Sequence, residues 1–190
     1  NVQTNSSTVK YGANSIAFDG VDDCINVANT ADFGFTTADF TLEAWINTNS
    51  TLEQTLFDFR TVEPQERVWL KLNASTLGLN LYVNGTNYGV ATGVTLNTWH
   101  HVALSRQSGV GRLFVDGVLG ATFSLPNNFG QTTPCRIGAF FSSVSTTEFS
   151  GYMDSIRFSS SAKYTTAFTP SNLVNASDTI LLIDGEDGVV

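Results

Sequence analysis

The chain has 190 residues, 42% of them apolar and 14% charged, which is ample material for the core of one all-β domain. Nine basic residues against seventeen acidic ones give a formal net charge of −8. That balance argues against a nucleic-acid backbone and against anionic lipid, since both need clustered cations. No apolar run approaches the roughly eighteen residues of a membrane-crossing helix.

Fourteen Phe against one Met favour pleated sheets, because aromatic rings suit a half-buried pleated surface. The chain opens on Asn1 without a signal-type apolar stretch, so a processed product or a piece of a longer protein is expected. In chain order the expected strands are 15–19, 24–28, 40–48, 54–60, 67–73, 77–84 and 88–92. They continue with 99–107, 111–116, 119–124, 136–141, 151–159 and 179–184. Within 40–46, Phe40, Leu42, Ala44 and Ile46 share one face and Trp45 takes the other. Asn84-Gly85 and Asp116-Gly117 are expected hairpin turns, because Gly tolerates the positive φ that such turns demand. Segment 30–39 is expected to make one irregular turn, and 127–133 and 142–147 are polar loops. No window sustains a 3.6-residue apolar period, so the expected class is all-β.

Ile16-Ala17-Phe18-Asp19-Gly20-Val21-Asp22 has an echo in Leu181-Leu182-Ile183-Asp184-Gly185-Glu186-Asp187. Both read apolar, any, apolar, Asp, Gly, any, Asp. Two strands ending at similar turns explain the echo as well as a tandem array does; the non-Met start favours the array. The expected domain is 1–178, with 179–190 a terminal strand or the start of a following repeat.

Cys24 and Cys135 are too few for a disulfide framework, and are either bridged to each other or buried as small apolar groups. They offer too few ligands for zinc. His100 and His101 are adjacent, so on a strand they face opposite ways and cannot share one ion.

Trp99-His100-His101-Val102-Ala103-Leu104-Ser105-Arg106, followed by Arg112-Leu113-Phe114-Val115-Asp116-Gly117, resembles the signature hairpin of laminin-G-like, or concanavalin A-like, modules. Ser15-Ile16-Ala17-Phe18-Asp19-Gly20-Val21-Asp22-Asp23 is similar to their opening S-x-x-F-D-G-x-x-D. Phe40-Thr41-Leu42-Glu43-Ala44-Trp45 is similar to F-T-x-E-x-W. Arg136-Ile137-Gly138 follows, and Gly151-Tyr152-Met153-Asp154-Ser155-Ile156-Arg157 resembles the closing G-x-x-D-x-I-R strand. The likeness runs from Lys10 to Pro170 and implies an antiparallel jelly-roll β-sandwich of two packed sheets. Tyr164-Thr165-Thr166-Ala167-Phe168-Thr169-Pro170 resembles a narrower subset found in tailed-phage virion proteins.

That fold hosts lectins, glycosidases and scaffolds alike, so the site has to be argued from residues. Glycoside hydrolysis needs two opposed carboxylates, yet no expected strand carries Glu-x-Asp or Glu-x-Glu. Glu43 stands alone between Leu42 and Ala44, and no Gly-x-Ser-x-Gly elbow occurs. An enzyme is not expected.

Asp19, Asp22 and Asp23 share one turn, and Asp154 joins them if the terminal strands pair. Gathered oxygen ligands suit calcium, and the resemblance implies that ion; turn capping by Asp19 is the plainer account. Pentraxin-like relatives place calcium and ligand on loops matching 61–66 and 142–150, which here offer Glu63, Glu66 and Glu148. The second loop lacks their dense acidic cluster. Phe140, Phe141 and Phe149 flank it, and strand alternation lets only one of Phe140 and Phe141 enter the core. The expected contact set is therefore Phe140, Phe141, Phe149, Glu148, Glu63 and Glu66.

The expected role is a non-catalytic module on the outside of a virion or cell, meeting a glycan or a neighbouring protein through edge loops. A structural assembly module without a small ligand and a bacterial adhesin module are the alternatives. No nucleic acid and no membrane insertion are expected; an oligomer or array is open.

Overall fold

The structure, a computed structural model, describes residues 1–28, 31–61, 67–129, 134–141 and 146–186. The first strands are β1 (Gln3–Asn5), β2 (Ser15–Asp19), β3 (Ile25–Val27), β4 (Phe40–Thr48) and β5 (Gln54–Asp58). Next come β6 (Trp69–Leu72), β7 (Leu79–Val83), β8 (Thr86–Ala91), β9 (His100–Gln107) and β10 (Val110–Val115). The last are β11 (Val118–Ser124), β12 (Cys135–Ile137), β13 (Ser150–Ser159) and β14 (Thr179–Ile183). One 3-10 turn, Ala31–Phe33, is the only helical element among the described residues.

Every pairing is antiparallel. One sheet runs β1-β2-β13-β4-β9-β10-β11, with β14 also on β13; the other runs β3-β12-β5-β6-β7-β8. Alternation builds the core between them. Phe40, Leu42, Ala44 and Ile46 of β4 face Leu56, Leu70, Leu72 and Leu81 of the opposite sheet, all within 0% exposure. A fully buried side chain of this kind contributes about 1.5–3 kcal/mol. The hairpin turns follow the sequence, with φ of 47° and 81° at Asn84-Gly85 and 51° and 76° at Asp116-Gly117. Arg106, which closes the signature strand, is buried and donates to the carbonyls of Thr36, Ala38 and Asn127, pinning two loops to the sheet.

A bulge in β13 sets the chemistry of the outer face. Asp154 lies opposite Trp45 but Arg157 lies opposite Glu43, so β13 carries one extra residue there. Ser155 takes up the slack at φ 47°. The same edge of β13 holds β2 over Ser150 to Met153 and β14 over Ile156 to Ser159, end to end.

Residues 160–178 cross the outer face of the first sheet as a strap. Tyr164 and Phe168 stack at 3.5 Å with rings 4° apart, and edges of this stack meet His101 and Phe114. Trp45 Nε1 donates to the Ser171 carbonyl at 3.2 Å, and Phe168 N donates to the Gly117 carbonyl at 3.0 Å. A Cβ at Gly117 would come within 1.9 Å of the Phe168 carbonyl oxygen, so the strap seats only on glycine.

Two expectations need correction. β12 ends at Ile137 rather than 141, because Gly138 turns out of the strand at φ 81°. β1 is an additional strand, polar and mostly exposed, and has no apolar alternation to announce it. Of the two alternatives for the cysteines the structure has the unbridged one: Cys135 pairs with Val27, while Cys24 precedes Ile25 at the other end of the same short ladder.

Candidate functional site

The β3–β12 edge brings distant segments together. Arg136 pairs with Asn26, so both side chains stand on the outer face while Cys135 and Ile137 go to the core. Gly138 then bends the chain; a Cβ there would meet the Phe18 ring at 2.4 Å. This bend lays Ala139 and Phe140 beside Arg136. The result is a half-open cavity of about 230 Å³, with Asp22, Asn26, Arg136 and Glu148 as its polar lining. Val21, Ala139 and Phe140 supply an apolar wall, and Cys24 completes it.

The charges here are not matched to one another. Arg136 Nη1 donates to the Phe140 carbonyl at 2.9 Å. Among the described residues no ion pair joins Arg136 to Asp22 or Glu148, and neither carboxylate has another hydrogen-bond partner. Burial pushes the Cys24 thiol up, against a downward pull from Arg136, so it lines the cavity as a neutral thiol.

Asp22 also belongs to a second group. One oxygen each from Asp19, Asp22 and Asp23 lies within 4.8 Å of the others, at the cavity rim. Asp19 Oδ1 accepts the Val21 and Asp22 amides at 2.8 and 3.3 Å, and Asp23 Oδ2 accepts the Asp19 amide at 2.9 Å. The Val21 amide bond holds the Asp19 carboxyl below its usual range despite partial desolvation. Calcium–oxygen distances of about 2.3–2.6 Å fit that spacing, although backbone carbonyls or water must complete six to eight ligands.

Asp154 does not join the group. Ser150 is the residue beside Asp19 in the β2–β13 register, and Asp154 Oδ2 instead accepts the Lys10 and Tyr11 amides at 3.2 and 3.0 Å. Burial raises its carboxyl, with those amide bonds pulling back.

Of the expected contact residues, Phe140 and Glu148 line the cavity. Phe141 and Phe140 overturn the alternation argument: both are half-buried, side by side at 4.6 Å, because no strand continues through them. The Arg60 guanidinium lies 4.6 Å from the Phe140 ring and 5.2 Å from Phe141, itself held bidentate by Asp58. Phe149 is a core residue, fully buried and edge-on to Phe18 at 5.7 Å. Glu63 and Glu66 lie outside the described residues.

Glu43 sits under the strap in the other sheet. Its Oε1 accepts Arg157 Nε and Nη2 at 2.9 and 2.7 Å; its Oε2 accepts His101 Nε2 at 3.1 Å and the Tyr164 hydroxyl at 2.8 Å. Burial would raise this carboxyl, but His101 and Arg157 outweigh it and hold Glu43 below its ordinary range. Burial and the Glu43 charge push the Tyr164 phenol up, so it remains a donor.

No curated protein matches the sequence. A laminin-G-type profile, described as the concanavalin A-like lectin/glucanases superfamily, matches residues 19–166. The chain belongs to this superfamily. Solved structures agree on the fold. A Bacteroides ovatus protein, assigned provisionally as carbohydrate-binding, superposes with TM-score 0.66 at 20% identity, covering 84% of this chain and 48% of that one. This chain thus spans about half the length of that protein. Domain 4 of the extracellular arabinanase AbnA from Geobacillus stearothermophilus, solved with arabinotriose, gives 0.66 at 13% identity, covering 85% and 76%. A heptameric pentraxin from Limulus polyphemus gives 0.53 at 16%, covering 88% and 94%.

In this concanavalin A-like chain, sequence reasoning missed Asn26 and Arg136 as cavity residues. Both stand in short strands far apart in sequence, and only the register places them opposite each other.

Proposed function

We propose that this chain is a non-catalytic carbohydrate-binding module of a larger extracellular or virion-surface protein, and that it holds a glycan at the β3–β12 cavity. The observation that carries this reading is the cavity's unsatisfied chemistry. Asp22 and Glu148 offer acceptors, Arg136 offers donors, and an apolar wall stands beside them, the usual composition of a small-molecule site. One structural relative is assigned provisionally as carbohydrate-binding and another was solved with arabinotriose, which supports the ligand class.

A catalytic role has little to work with. Glu43 is fully buried, and its carboxyl lies below the ordinary range. A glycosidase acid needs the opposite shift and access to the sugar. Calcium at Asp19, Asp22 and Asp23 is part of the proposal; there it would neutralise the rim and offer a sugar hydroxyl a cation. Weak single-site affinity would be raised by repetition in an array.

The test is a glycan array with the purified chain, with and without chelator, alongside Arg136→Ala. Saturable binding lost in the variant is the expected result; a blank array, or sugar release from any bound glycan, would overturn the proposal.

The edge strand β11 favours one second reading, an assembly module. It carries no charged residue and leaves Val118 and Leu119 65% and 38% exposed. Light scattering decides: a monomer at all concentrations excludes it.

A further inference from the structure

We infer that the β3–β12 cavity takes a single neutral sugar residue through adjacent hydroxyls and turns away sugars bearing a carboxylate or sulfate. This inference rests on the glycan-binding reading of the same cavity and adds the class of glycan.

Size comes first. At about 230 Å³ the space lies below the roughly 300–1,000 Å³ of sites for drug-sized ligands, so it holds one ring rather than a chain segment. The ligand is then a terminal residue or a branch.

Charge decides the class. The lining has two carboxylates, Asp22 and Glu148, and one guanidinium, Arg136. Asp19 lies in the same cluster as Asp22, with ligand oxygens within 4.8 Å, and deepens the negative side, while Asp23 beside it is ion-paired with the Asn1 ammonium at 2.9 Å. In the cavity lining an anionic sugar would meet one cation, Arg136, and two like charges, Asp22 and Glu148. A hydroxyl is donor and acceptor at once, whereas an ionised carboxylate only accepts and a guanidinium only donates. Two adjacent hydroxyls can therefore donate to Glu148 or Asp22 and accept from Arg136 together. Those groups are free to do so, since none of the three is paired with another. Val21, Ala139 and Phe140 face the C–H side of the ring, and the Asn26 amide can serve either sense of hydrogen bond.

The experiment is titration of the chain, in EDTA so that no metal alters the rim charge, with paired oligosaccharides. Each neutral hexose- or pentose-terminated compound is set beside its uronate-terminated and sulfated counterparts. Neutral termini should bind at least tenfold more tightly than the acidic ones. Arg136→Ala should weaken neutral binding about tenfold, the usual effect of removing a charged hydrogen-bond donor. Glu148→Gln, which removes the charge and one of the two acceptor oxygens, should weaken neutral binding a few-fold and raise uronate binding several-fold, so that the preference for neutral termini narrows. Thermal melts check that each variant is folded. Preferential binding of acidic termini would overturn the inference and leave glycan binding standing. Neutral binding indifferent to both variants would remove the cavity as the site. No binding by any compound would sink the inference and the functional reading together.

Discussion

Replacing Glu43 with Gln tests how the strap is held. The native carboxylate accepts four hydrogen bonds, two from Arg157, one from His101 and one from Tyr164, with no exposure to water. Glutamine keeps one acceptor oxygen and turns an NH₂ toward donors on the other side. Whichever way it settles, either the guanidinium or the His101–Tyr164 pair loses its partner. Breaking a buried pair from one side costs about 3–5 kcal/mol, a large share of the roughly 5–15 kcal/mol that stabilises a typical domain. At this chain length each kcal/mol shifts the melting midpoint by about 2–4 °C, so E43Q should melt roughly 6–20 °C lower. Urea unfolding followed by tryptophan fluorescence gives the free energy directly. Glycan binding by the folded variant should be unchanged, because the cavity lies on the other sheet. A loss below about 1 kcal/mol would refute the reasoning, since it would mean that the four bonds are replaced without penalty.

Stability should fall on acidification. The folded Glu43 carboxyl lies below its ordinary 4.5, so its contribution is complete above that pH and disappears as pH falls through the lower folded value. Unfolding free energies measured from pH 6 to pH 3 should therefore drop below about pH 4.5, and the drop should be shallower in E43Q. Gly117→Ala should unseat the strap, because the new methyl meets the Phe168 carbonyl and the residue must hold φ 76°. A loss of at least about 2 kcal/mol and new proteolytic cleavage within 160–178 are expected; unchanged resistance would count against the contact. Calcium at one hundred times its dissociation constant should stabilise the chain by about 2.7 kcal/mol, and Asp22→Asn should abolish the shift. An equal shift in both proteins would place the ion elsewhere.

The strands were legible because alternation survives along them. β4 keeps four apolar residues on one face, and Asn84-Gly85 and Asp116-Gly117 mark turns that require positive φ. The site was legible only in part, since its geometry depends on register. Phe140, Glu148 and Asp22 stand next to loop or turn signals and lead to the cavity, but the Asn26–Arg136 pairing carries no local mark. Asp154 looked available because the sequence does not show the β2–β13 register, which puts Ser150 rather than Asp154 beside Asp19. Phe149 follows a polar loop yet drops straight into the core, held by its amide bond to the Gly138 carbonyl at 2.7 Å.

The strap makes the molecule two-sided in a practical sense. One broad flank is already occupied by the chain's own residues, which leaves the rim and the opposite flank open to an outside molecule. Val174, 59% exposed on that occupied flank, is consequently a sound anchor point for immobilisation. Captured there, every molecule would present its open end to solution in the same orientation.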